Sequence, residues 1–114
     1  MARKVLRLAD YRRKAARPVY FTKNELNRLL SVYSRRVIGG EWKDYAIDFG
    51  KGMVAFSIYG TVSGRPLFTV YKFAPGSHRK GDYVLASGGN TLQRGGSLDD
   101  VLTTFDRKLN LVSR

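Results

Sequence analysis

The sequence predicts an α+β fold, an antiparallel meander of four to five strands bracketed by two amphipathic helices on one sheet face, in the order α, β, β, β, β, with a further short β, then α. Two observations carry this. Segments 22–38 and 97–109 repeat apolar residues at i, i+3, i+4 and i+7 behind a capping signature. The stretch between them alternates with period two and is punctuated by glycine. At 114 residues, 43% of them hydrophobic, the chain is long enough for one domain with its own core.

The chain opens on a basic arm, residues 1–18. Arg3, Lys4, Arg7, Arg12, Arg13, Lys14 and Arg17 are seven of the 21 lysines and arginines, set against Asp10 alone, so the arm holds +6 of the net +12. Pro18 ends any helix there and separates the arm, expected to be flexible, from a single domain over 19–112.

Thr22 is a natural N-cap with Glu25 three residues on, a capping box, and Phe21 and Leu26 are placed to form a hydrophobic staple. The helix that follows carries a stripe of Leu26, Leu29, Leu30, Tyr33 and Val37 and stops at Gly39-Gly40. Arg35 and Arg36 complement the negative end of its dipole. After Trp42, Tyr45, Ile47 and Phe49 alternate with Asp44, Ala46 and Asp48, and Val54, Phe56 and Ile58 with Met53, Ala55 and Ser57. A two-residue loop at Gly50-Lys51 would set Ile47 opposite Val54 and Tyr45 opposite Phe56, leaving one face wholly apolar, whereas a three-residue loop mixes the faces.

A turn at Ser63-Gly64-Arg65-Pro66 leads into a third strand, Leu67 to Phe73, whose register is open by one residue. Either Leu67, Thr69 and Tyr71 join the core, or Phe68 and Val70 do, leaving Tyr59 and Tyr71 on the opposite face. The loop APGSHRKG precedes a strand at Tyr83 to Ala86, a Gly88-Gly89-Asn90 turn and a short strand at Thr91 to Arg94, a pair expected to be weak. Ser97 caps the last helix with Asp100 in the capping-box position, and its stripe is Leu98, Val101, Leu102, Phe105 and Leu109.

The inventory for catalysis is thin. Cysteine is absent, which fits a reducing compartment, and the single histidine, His78, lies in a polar loop, so the usual zinc sites and thiol nucleophiles have no ligands. Asp44 and Asp48 share a strand face and could hold a magnesium ion or act as an acid/base pair, but two such carboxylates more often only solvate an outer face. The paired glycines lack the phosphate-loop lysine and read as turns. No enzyme, cofactor or metal is expected. No run of residues is apolar enough to span a bilayer or serve as a secretory signal, and the arm contains no serine, unlike a transit peptide, so a cytoplasmic protein without a membrane partner is expected.

Binding signals remain. The arm seeks a polyanion. His78, Arg79 and Lys80, with Lys72 before them and Arg94 after, form a candidate second cluster for phosphate, set against ordinary surface charge. Trp42, Tyr59 and Tyr71 are candidate stacking residues, set against plain core packing. The expectation is a small non-enzymatic DNA- or RNA-binding protein of low sequence specificity. The alternative is a protein–protein interaction module, an adaptor docking on an acidic partner or a homodimer, because both faces of the third strand are apolar.

The segments FTKNELNRLLSVYSR, GEWKDYAIDF and RGGSLDDVLTTFDRKL, between Phe21 and Leu109, resemble a family of small uncharacterised proteins of alphaproteobacteria, known as a domain of unknown function. The resemblance implies a bacterial cytoplasmic protein and brings no functional residue. The strand order after Trp42 is similar to that of single-strand-binding transcriptional coactivator domains, and the αβββα layout to double-stranded-RNA-binding domains. Against the latter, SLDD stands where those domains carry a lysine-rich helix start.

Overall fold

The computed structural model describes residues 18–112 apart from 39, 41 and 61–63, with side chains through Phe105. The expectations for the seven basic residues of the arm, for Gly39 and Ser63 in their turns and for the Leu109 side chain lie outside the described residues. The elements are α1 (Lys23–Ile38), β1 (Asp44–Gly50), β2 (Met53–Tyr59), β3 (Phe68–Phe73), β4 (Tyr83–Ser87), β5 (Asn90–Gly95) and α2 (Leu98–Val112). The strands form one five-stranded antiparallel meander in the order β1-β2-β3-β4-β5. The α+β expectation holds, with all five strands present.

Both capping boxes form. The Thr22 amide donates to Glu25 Oε1 at 2.8 Å and the Glu25 amide to Thr22 Oγ1 at 3.1 Å. In α2, the Asp100 amide donates to Ser97 Oγ at 3.3 Å, while Asp100 Oδ2 accepts from the amides of Gly96 and Ser97 at 3.1 and 3.3 Å. Each first turn thereby satisfies amides that have no partner within the helix.

The helices share one sheet face. Leu29 and Val32 of α1 and Leu98, Val101, Leu102 and Phe105 of α2 join Phe56, Ile58, Val70 and Leu85 of the sheet in one core. An ion pair between Arg28 and Asp99 links the helix surfaces. Trp42, just before β1, is 2% exposed and lies parallel to Phe105 at 5.5 Å, closing the join between the helices and β1. The stripe of α1 is rolled from the expected one, because Val37 is exposed and Val32 is buried in its place. At 100° per residue these two lie on opposite sides of Leu29, and the roll turns Glu25 toward the sheet, where Lys72 and Tyr83 hold its carboxylate.

Two register points are decided by backbone geometry. The first hairpin loop is Lys51-Gly52, pairing Ile47 with Phe56 and Tyr45 with Ile58, two residues from the expected register. A slip of two preserves which side chains share a face, so alternation cannot detect it; the glycine at positive φ decides, and that is Gly52 at φ 70°. In β3, Phe68 and Val70 face the helices, with Phe56 paired to Val70 and Ile58 to Phe68, so Tyr71 faces away. The β4–β5 hairpin, expected to be weak, turns through Gly88 and Gly89, both at positive φ as a type I′ turn requires, and pairs Tyr83–Ser87 with Asn90–Gly95. The pairing skips Leu92, a bulge whose side chain packs on the core.

Candidate nucleic-acid interface

Among the described residues no helix covers the other sheet face. Strand alternation sends Tyr71 and Phe73 of β3 to it, with Ala55 and Val84 as Tyr71's cross-strand neighbours, and Ser57 and Ala86 flanking Thr69. These neighbours are small, so the aromatic rings stand above a shallow floor. The polar floor is internally satisfied, with Ser57 Oγ and Thr69 Oγ1 3.3 Å apart. Along one side runs a groove of about 530 Å³, lined among others by Arg65, Thr69, Tyr71, Phe73, Ala86 and Arg94.

The rings are ordered in a row. Tyr71 and Phe73 lie nearly parallel, with centroids 5.9 Å apart at 21°, and the His78 ring contacts Phe73 at 4.4 Å. His78 reaches there because the loop after β3 folds on itself. Asp82 Oδ2 accepts from the Gly76 amide at 2.9 Å, Asp82 Oδ1 from the His78 amide at 3.4 Å, and the Gly81 amide donates to the His78 carbonyl at 3.2 Å. Gly81 has φ 123° and passes so close to Gly95 that a Cβ would sit 2.2 Å from that residue's carbonyl carbon. The same contact brings in Arg94, whose Nη1 donates to the Gly81 carbonyl at 3.1 Å. One donor is thus spent on the loop, and a guanidinium has five.

Charge is distributed unevenly across this face. Asp44 and Asp48 lie on it at the β1 edge, and Arg94 lies on β5, four strand spacings or about 19 Å away. That is about two screening lengths at physiological salt, so an anion near Arg94 meets the exposed Arg79 and Lys80 and scarcely feels the acidic edge. Asp82, the acid within the loop, is occupied by two loop amides. Among the described residues no three His, Cys, Asp or Glu side chains gather where they could hold a metal ion.

The structure places Tyr71 and Arg94 on one groove, with Arg79 and Lys80 exposed in the loop whose Gly81 carbonyl Arg94 holds, and it separates Lys72, Trp42 and Tyr59 from them. Lys72 requires correction: it faces the helices, 14% exposed, and its Nζ donates to Glu25 Oε1 at 2.7 Å and to the Tyr20 carbonyl at 2.8 Å. Its parity along β3 is that of Val70, so it cannot share a surface with its neighbours Tyr71 and Phe73. Trp42 is also corrected, since an indole 2% exposed between Tyr33 and Phe105 has no face left for a base. Tyr59 is on the outer face, but four residues, or about 13 Å, from Tyr71 along the sheet. Phe73 and Arg65 were missed. Phe73 was legible as the i+2 partner of Tyr71; Arg65 had no signal beyond its place in a turn.

Glu25 also does more than its capping motif reveals. Burial alone would raise its pKa, but the hydrogen bonds from Lys72, Tyr83 and the Thr22 amide, with the Lys72 charge, bring it below the usual carboxylate value. The Tyr83 hydroxyl, donating to Glu25 Oε2, is pushed well above the usual phenol value by burial and by that bond. This cluster fixes α1 to β3 and β4 on the side of the sheet opposite the groove.

A family model described as "Protein of unknown function (DUF2794)" matches residues 19–102. No curated protein and no solved structure matches the chain. Among the described residues no helix is long and apolar enough to cross a membrane.

Proposed function

The chain belongs to this family of proteins of unknown function, and we propose that it is a small, non-enzymatic, cytoplasmic nucleic-acid-binding protein of low sequence specificity. In this reading the arm and the 78–80 loop contact phosphates, and the body fixes their relative position. The observation that carries it is the bond from Arg94 to Gly81, which roots a guanidinium at the base of the Arg79-Lys80 loop, beside an aromatic groove. Charge adds to it, with +6 on the arm and +6 on the remaining residues. Low specificity follows from contacts made by cations and ring faces, neither of which reads base edges.

An interaction module is the second reading, favoured by the β1 edge. There Phe49 is 59% exposed and Tyr20 61%, their rings in edge contact at 5.4 Å, beside a strand whose outer backbone is unpaired among the described residues. Affinity capture of the full chain from a lysate, with and without nuclease, separates the two. Co-purifying nucleic acid, and loss of captured proteins on nuclease treatment, is the result expected. A protein partner that survives nuclease, with no nucleic acid in the untreated sample, would replace the first reading by the second.

A further inference from the structure

The geometry points to a narrower ligand class for the groove, an inference that rests on the nucleic-acid reading: it takes an unpaired base of a single strand, stacked on Tyr71, with Arg94 holding an adjacent phosphate. The row His78–Phe73–Tyr71 ends at Tyr71, which among the described residues has no further ring contact and no hydrogen-bond partner for its hydroxyl. Phe73 is braced between two rings, so the row is ordered before a ligand arrives and stacking costs little side-chain freedom. Small neighbours, Ala55 and Val84 across the strands and Thr69 along β3, let a flat ring descend beside Tyr71 without displacing a side chain. The volume, about 530 Å³, lies in the range of sites that enclose small organic molecules. A duplex fits this arrangement poorly, because its base faces are already stacked on one another and only edges and phosphates are presented.

The occupant is anionic by charge complementarity. Arg94 lines the groove and retains unspent donors, and Arg79 and Lys80 are exposed in the loop whose Gly81 carbonyl it holds. The arm, which is itself cationic, is a poor occupant for the same reason.

The test uses the full chain, short mixed-sequence oligonucleotides of equal length, single-stranded and duplex, and moderate salt. Tyr71→Ala is expected to weaken single-strand binding by about 5- to 150-fold, the loss typical of one stacked base. Duplex binding, carried by the arm and loop, should be unchanged. Tyr71→Phe should restore single-strand affinity and Tyr71→Leu, which fills space without a ring face, should not. Photo-cross-linking of a 5-iodouracil single strand to the unaltered chain gives a readout independent of variant folding, and adducts are expected at Tyr71 or Phe73. Loss of single-strand and duplex binding in equal measure, no loss of either, or adducts confined to the arm would overturn the single-strand site while leaving nucleic-acid binding in place. No binding of any oligonucleotide at low salt would remove both.

Discussion

The ammonium of Lys72 lies 2.7 Å from Glu25 Oε1, across the join between β3 and the first turn of α1, with the two side chains 14% and 15% exposed. The same carboxylate accepts from the Thr22 amide and the Tyr83 hydroxyl, so one residue closes the helix cap and ties the helix to two strands. Lys72→Met removes the charge that compensates Glu25 and should destabilise the protein by about 1–3 kcal/mol, less than for a fully buried pair. Thermal unfolding checks this, at about 4–8 °C per kcal/mol for a domain of this size. Oligonucleotide affinity should hardly move, because Lys72 is on the helix side of the sheet.

Acid should act through the same residue. Glu25 titrates below the ordinary carboxylate value of 4.5 in the folded protein, so the folded state binds its proton more weakly than the unfolded chain does. Its contribution is therefore complete above about pH 4.5 and is lost as pH falls through the folded-state value. Chemical denaturation at a series of pH values should show stability declining below pH 4.5. Glu25→Gln should be less stable at neutral pH and show a shallower decline.

Phe56 is fully buried at mid-strand, its ring parallel to Tyr45 at 5.1 Å and edge-on to Tyr33 at 6.5 Å. Phe56→Ala should cost about 3–5 kcal/mol, a large share of the roughly 5–15 kcal/mol of a whole domain. Equilibrium urea unfolding measures it. By contrast, changing Arg12, Arg13 and Lys14 to Ala should leave unfolding nearly unaltered, since these three charged side chains bring little apolar surface to a core.

Gly81 offers a test of how the basic loop is held. Gly81→Ala would place a methyl group 2.2 Å from the Gly95 backbone at φ 123°, in a region that L-residues rarely adopt. The loop must shift or β5 must yield, and the Arg94 contact with Gly81 should be lost. Unfolding should shift to lower denaturant, by at least about 1 kcal/mol. Nucleic-acid affinity, measured where the variant is still folded, should fall as Arg94 loses its position.

Much of the fold was readable because its signals are local. The two capping boxes, the period change after Trp42 and the Gly88-Gly89 turn each depend on a few consecutive residues, and each has a physical meaning in isolation. What was not readable depends on partners distant in sequence. The parity of β3 decided whether Tyr71 or Val70 entered the core, and with it whether Lys72 was available to a ligand. Glu25 reads as a cap because its partner Thr22 is three residues away; Lys72 and Tyr83 are 47 and 58 residues away and leave no local mark. For the same reason Trp42, in a polar stretch next to Lys43, looked accessible although Phe105 of the last helix lies against it.

The most direct measurement of the central claim is the salt dependence of oligonucleotide binding, for the full chain and for the chain lacking residues 1–17. With about six to eight phosphate contacts, affinity should fall roughly a thousandfold between about 50 and 200 mM salt. Deleting the arm should flatten the slope of log K against log salt, because its cations release a share of the counterions. Absence of binding at low salt, or a slope indifferent to the arm, would contradict the account.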